Sequence, residues 1–204
     1  MNPLNSIVGT IVAGVILAII LVLVTMGEHI VGAVPVNSIV IWLHVLAGIT
    51  WIGLLYYFNF VQVPALANAA SDSGGPGGAG ITKYVAPRAL AWFRWGAVVT
   101  WLSGAAFLLH RGQLDDAFAL GMLGEIVDPY ALTIGMGAWL GTIMLFNVWV
   151  LIWPNQKKIL GLVEASAEEI AKGKRVAFLA SRTNTLLSIP MIMCMVGAGH
   201  GFFM

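Results

Sequence analysis

Five apolar stretches dominate the chain, approximately Ser6 to Met26, Ser38 to Val63, Ala89 to His110, Pro129 to Pro154 and Thr183 to Met204, and the only full charge inside them is Arg94. Each is long enough to cross a hydrocarbon core of about 30 Å, which takes roughly 20 residues of helix. In lipid a single segment satisfies its own backbone polar groups only as a helix. The sequence therefore predicts an all-α integral membrane protein, a single domain over residues 1–204 with five transmembrane helices. Composition agrees, with 59% hydrophobic and 9% charged side chains against about 25% charged in soluble domains. The formal net charge of +1 offers no basic surface for a nucleic acid, and membrane lipid is the expected surrounding.

Basic residues set the expected orientation, because Lys and Arg near helix ends are retained on the cytoplasmic side. With five spans, one face collects Lys83, Arg88, Arg94, Lys157, Lys158, Lys172, Lys174, Arg175 and Arg182, and the other only Arg111. This places the N-terminus in the cytoplasm and the C-terminus outside, in the periplasm for a multi-pass protein of a bacterial inner membrane. The first span lacks a basic leader, and its apolar run exceeds the roughly 7 to 15 residues of a signal peptide. It is expected to be a retained helix and, being the plainest of the five, to lie at the lipid-facing periphery. The single Cys194 excludes an intrachain disulfide and a CxxCH attachment site for c-type haem.

Between the spans, Ser71 to Gly80 has the Gly-rich composition of a flexible loop. Ile159, Leu162, Val163 and Ile170 recur at helical spacing, with Glu168 four before Lys172, and predict an interfacial helix over about 156–175. Asp115, Asp116, Glu125 and Asp128 make the outer loop acidic, a surface suited to a basic partner such as a soluble cytochrome c. An internal repeat links the second and fourth spans: Trp51-Ile-Gly53, Phe58-Asn59 and Pro64 match Trp139-Leu-Gly141, Phe146-Asn147 and Pro154. Arg94 and Arg182 begin the partner helices, and His110 and His200 end them. Two parallel helix pairs, with the N-terminal helix at their side, follow from this pattern.

Four histidines carry the chemical expectation. An ionisable group inside a membrane helix is costly to desolvate and marks a functional site by default. His44 lies about six residues into its span, roughly 9 Å deep at 1.5 Å per residue, and His200 is at a comparable depth below the same outer face. Two helices that offer imidazoles to opposite faces of a porphyrin make a six-coordinate b-type haem. Gly48 and the Gly197-Ala-Gly-His-Gly201 run would let the macrocycle approach the backbone. His110, at the end of the third span, competes with His200 as second ligand, and His29, in a loop, is the weakest candidate.

Copper is the alternative metal, with Met191, Met193, Cys194 and Met195 as soft donors, of which only Met191 and Met195 share a helix face. At the inner face, Asn59, Gln62, Asn147, Asn155, Gln156, Arg182, Asn184 and Ser188, with Arg94 nearby, form a second polar group. Such groups must satisfy one another or a ligand: the structural reading is interhelical hydrogen bonding, the other an anion or quinone site. Trp92, Trp95, Trp149 and Trp153 suit an inner aromatic belt and Trp42 an outer one, while Trp51, Trp101 and Trp139 lie deeper, placed to flank a macrocycle or, equally well, to pack the core. Gly137-Ala-Trp-Leu-Gly141 is a GxxxG match favouring close helix contact. The spans hold no Asp or Glu, no GxSxG and no HExxH, so no hydrolytic centre is expected.

The run Leu43-His-Val-Leu-Ala-Gly-Ile-Thr-Trp51-Ile-Gly-Leu-Leu-Tyr-Tyr-Phe-Asn59-Phe-Val-Gln62-Val-Pro64 resembles the membrane domain of the bacterial membrane-bound urate oxidase (urate hydroxylase) family. So do Phe146-Asn-Val-Trp-Val-Leu-Ile-Trp-Pro-Asn-Gln-Lys157, Ser181-Arg-Thr-Asn-Thr-Leu-Leu-Ser188-Ile-Pro190 and Gly199-His200-Gly. The resemblance runs from about residue 38 to the end of the chain. It implies a membrane domain that precedes a cytochrome c domain, with electrons leaving through an outward-facing c haem; this sequence holds no CxxCH and is expected to stand alone. A His preceding a Trp-x-Gly helix is also similar to small haem-binding membrane proteins of the copper-resistance and protoporphyrinogen-oxidising types.

The expected function is thus a b-haem redox protein that passes electrons near the periplasmic face to or from a cytochrome c. The alternatives are a non-catalytic subunit of a larger membrane complex, such as a respiratory or oxidase assembly, and the membrane component of a urate hydroxylase.

Overall fold

The computed structural model describes residues 2–26 and 36–201. His29 lies outside the described residues. Every regular element among them is helical, with no strand, and the chain divides into two compact units, Met1–Ile39 and Val40–Met204.

The first unit contains α1, Ile7–Met26. A short turn over Pro3–Asn5 leads into it, the Asn2 side chain accepting a hydrogen bond from the Leu4 amide. Ser6 then starts the helix, its Oγ accepting from the Gly9 N–H at 3.0 Å. Of α1's 20 residues none is charged, polar atoms are confined to Thr10 and Thr25, and both hydroxyls donate back to carbonyls of their own helix. A helix apolar on every face has no side to turn to water.

The second unit is built from α2 (Val36–Ser71, whose first turn belongs to the first unit), α3 (Ala86–His110), the short α4 (Leu114–Phe118), α5 (Pro129–Ile159) and α6 (Ala167–His200). Among the described residues four helices are long and apolar enough to cross a membrane: Ile7–Thr25, α2, α5 and α6. With 25 residues α3 has the length, but Arg88, Arg94 and its glycines and tryptophans make it less apolar than these.

Caps define the ends. Asp128 Oδ1 accepts from the amides of Tyr130 and Ala131 at the start of α5, and Ser166 and Glu169 form a reciprocal capping box that starts α6. Between them the chain reverses through Gly161, at φ +69°, where the Leu162 amide donates to Lys157 O. No separate interfacial helix spans 156–175: Gln156 to Ile159 finish α5, and Ala167 to Arg175 are the first turns of α6. The apolar spacing that suggested one helix is shared by two helix ends because periodicity does not register an intervening left-handed glycine.

Each of α2 and α5 passes through a π-helical segment, Tyr57–Gln62 and Asn147–Ile152. In both, proline sits two residues beyond, at Pro64 and Pro154, and cannot donate to the carbonyl four residues back. The wider register supplies other bonds: Val63 N–H reaches Phe58 O, and Trp153 N–H reaches Val148 O. The segments turn Asn59, Gln62 and Asn147 into the core, where Trp51, Leu55, Phe93, Met144 and Val148 pack. On α5, Gly137 allows close contact with α6, since a Cβ there would meet Cys194 Cβ at 3.1 Å.

Most of the inner polar group is internally satisfied. Asn147 Nδ2 donates to Asn184 Oδ1 at 2.8 Å, and Asn184 Nδ2 donates to Met144 O at 2.9 Å. Asn59 Nδ2 donates to Ser181 Oγ at 2.8 Å, and Tyr56 shares a hydrogen bond with Ser188 at 3.0 Å. Arg94 lies face-on to Trp153, its guanidinium carbon 3.3 Å from the ring centroid, a cation–π contact suited to a desolvated charge.

Candidate functional site at the histidine cavity

His44 projects from α2 toward α3, where its ring is received by Gly104. A Cβ at that position would stand 2.9 Å from His44 Cε1, so only glycine leaves room for the imidazole. His44 Nδ1 is 2.8 Å from Thr100 O, with Ser103 Oγ further off at 3.4 Å. A carbonyl only accepts, so Nδ1 carries the proton and Nε2 is left with its lone pair free. The Thr100 hydroxyl and the Ser103 hydroxyl donate to carbonyls of their own helix, which fixes the wall against which the ring rests.

His200, near the end of α6, is exposed and is held by its own helix, but its nitrogens divide in the same way. Its Nδ1 lies 2.9 Å from Val196 O, one turn back, so here too the proton is on Nδ1 and Nε2 is free. This pattern, one ring nitrogen anchored to a carbonyl and the other available, is how metal-ligating histidines are oriented and tuned.

Both residues line a single cavity of about 480 Å³, within the roughly 300–1,000 Å³ of small-molecule and cofactor sites. Its walls are largely apolar, including Ile41, Trp101, Phe107, Ile134, Met191 and Met195. Gly141 and Gly199 also face it, and a Cβ on either would meet nothing within 4 Å. Thus the GxxxG match has two uses: Gly137 brings helices together, whereas Gly141 leaves space. Trp51 lines the cavity too, 1% exposed, and its Nε1–H has no hydrogen-bond partner. A buried indole donor without an acceptor costs free energy unless a ligand supplies one. At another part of the wall, Arg111 lies over the rings of Phe107 and Tyr130, 5.5 and 5.4 Å from their centroids.

The other sequence candidates fall elsewhere. His110 is exposed and, unlike Phe107, Leu108 and Arg111, does not line the cavity. Met193 is exposed and Cys194 packs against α5. Among the described residues no group of three or more His, Cys, Asp and Glu side chains is placed to enclose a metal ion; the donors facing the cavity are two imidazoles and the thioethers of Met191 and Met195. Trp101 contributes to the wall and anchors its Nε1 on Thr142 at 2.8 Å, whereas Trp139 is half outside and bonds Phe118 O. Of the acidic loop, Asp128 is committed to capping α5 and Asp116 accepts from Leu123 N–H. Sequence inspection singled out Trp51 but missed Gly104 and Thr100; the i, i+4 spacing of Thr100 and Gly104 was the available hint.

The family described as urate oxidase N-terminal matches residues 33–112 and 118–204. The chain belongs to this family. The matched segments contain every residue of the histidine cavity. No curated protein and no solved structure matches the chain.

Proposed function

We propose that this membrane domain holds a b-type haem between His44 and His200 and serves electron transfer near the outer face, with a c-type cytochrome as partner. The observation that carries the proposal is the shared arrangement of the two rings. Each has Nδ1 committed to a carbonyl and Nε2 free, and both line one apolar cavity. The residues fit a flat, amphipathic macrocycle in three further respects: Gly104 seats the imidazole, Gly141 and Gly199 leave space, and Trp51 Nε1–H needs an acceptor. When bound, the haem supplies one-electron chemistry; the protein sets its potential through burial and through the hydrogen bonds on each Nδ1. Copper, held by a histidine with Met191 or Met195, is the lesser alternative, because two imidazoles are the stronger donors here.

Around this site we place the rest of the architecture. α3 serves as a fifth span, with Arg94 held by Trp153 at its inner end, and α2–α3 and α5–α6 form the two repeated pairs. The N-terminus is cytoplasmic and the histidine cavity opens toward the periplasm of a bacterial inner membrane, as the distribution of Lys and Arg favours.

Family membership favours a second, compatible reading: the chain is the membrane component of a urate hydroxylase, and the haem is part of its electron path. A reduced-minus-oxidised spectrum of the purified protein tests the proposal. A Soret and alpha band, with haem b extracted into pyridine, is the expected result. Protein purified from haem-replete cells without either band would refute it and leave a non-catalytic subunit of a larger complex as the better account.

A further inference from the structure

The same helices enclose a second cavity at the other end of α2, about 760 Å³, and we infer that it binds the ring of a lipophilic hydroquinone through Gln62. This inference does not rest on the haem reading. Gln62 is 8% exposed, its Oε1 is buried without a partner, and its side chain makes no hydrogen bond among the described residues. The asparagines around it, Asn59, Asn147 and Asn184, are by contrast all paired. Gln156 lines the same cavity, and its carboxamide is likewise without a hydrogen bond. A carboxamide left unpaired beside lipid is destabilising unless a ligand completes it.

The lining says what kind of ligand that is. Phe58 and Phe93 meet edge to face, 5.5 Å apart, and with Phe178 they offer flat apolar walls, while Leu66, Leu90 and Ile170 extend the space with aliphatic surface. The volume far exceeds a single polar ring and suits a ring with part of an alkyl tail. Lys174 and Arg175 stand at the rim, both exposed, and they place any negative charge at the mouth and not beside Gln62. A small anion would have to leave water for apolar walls; a hydroquinone keeps its tail in lipid, and its hydroxyl donates to Gln62 Oε1. Gln62 closes the π-helical segment Tyr57–Gln62, and such segments are frequent at functional sites.

The test uses the full chain in nanodiscs of zwitterionic phospholipid, titrated calorimetrically with decylhydroquinone and with its isostere in which methyl groups replace both hydroxyls. The hydroxylated compound is expected to bind at least tenfold more tightly, and Gln62→Leu to bring the two within about twofold by weakening only the hydroxylated one. Ala171→Trp, at the exposed rim, should weaken both ligands, and His44→Ala neither. Equal affinity of the two compounds for the native chain, or a preference that survives Gln62→Leu, overturns the inference. So does displacement by phosphatidylglycerol added to the nanodiscs, which would assign the cavity to lipid, or loss of binding in His44→Ala. Should Gln62→Leu not fold, unchanged binding in Ala171→Trp is by itself sufficient to reject the site.

Discussion

The two polar regions of the second unit are built on the same helices and differ in how completely they are satisfied. In the carboxamide network, Asn59, Asn147 and Asn184 spend their amide groups on carbonyls and side chains across helices. In the histidine cavity, each ring spends one nitrogen and keeps the other. A membrane protein uses the first arrangement to hold helices in register, because a partner that is always present is cheaper than one that must arrive. On the proposed reading, the second leaves a nitrogen on each ring for a ligand. Satisfaction, more than polarity, therefore separates framework from site.

Removing His44 should give the largest effect and break the comparison most directly. His44→Ala is expected to lose most of the bound haem, read as haem-to-protein ratio after purification. His200→Ala should retain a fraction in a five-coordinate spectrum, and His110→Ala should be indistinguishable from the native protein. If His110→Ala alone removed the haem, the cavity would not be the site.

Asn184→Leu should do the reverse. It leaves the Asn147 side-chain amide without its acceptor and removes the Asn184 bond to Met144 O, and is expected to destabilise the fold by about 1–3 kcal/mol, seen as an earlier thermal transition. The Soret position of the folded fraction should stay unchanged. A shifted Soret band would mean that the network and the cavity are one unit.

Gly104→Ala probes the seat of the ring. A Cβ at 2.9 Å from His44 Cε1 forces the imidazole aside, and overpacking of this kind costs about 1–3 kcal/mol. Haem should dissociate roughly tenfold or more faster to an apoprotein acceptor, a tenfold change being about 1.4 kcal/mol. The smallest effect is expected for Lys158→Gln. Its exposed ion pair with Glu169, at 3.2 Å, is of the kind that contributes little, and neither melting nor spectrum should move.

What could be read from the sequence follows from what a helix encodes. Depth is linear in residue number, so His44 and His200 were placed at one level before any contact was known. Azimuth is harder: His110 is at the same end of the bundle, but its direction depends on how α3 is rotated against α2, which packing decides. Gly104 is invisible for the same reason, as its role exists only where another helix brings an imidazole to it. The membrane-spanning helices were legible because about twenty apolar residues leave few alternatives in lipid. Where α5 ends and α6 begins was not, since Gly161 interrupts a pattern whose apolar positions continue on both sides. The inner polar group looked uniform as a list of Asn and Gln; its division into paired and unpaired members depends on distances of about 3 Å that no spacing rule supplies.

The π-helical segments have a further effect on how this chain can change. Each residue advances an α-helix by about 100°, so an extra residue accommodated in a wide turn sets the phase of everything beyond it. Deleting one residue between Tyr57 and Gln62 would leave the histidine end of α2 in place and swing the far end to a new heading. The segment thus works as a coupling joint: the histidine-bearing half of the helix can keep its alignment while the half beyond Gln62 is re-aimed by the gain or loss of a single codon.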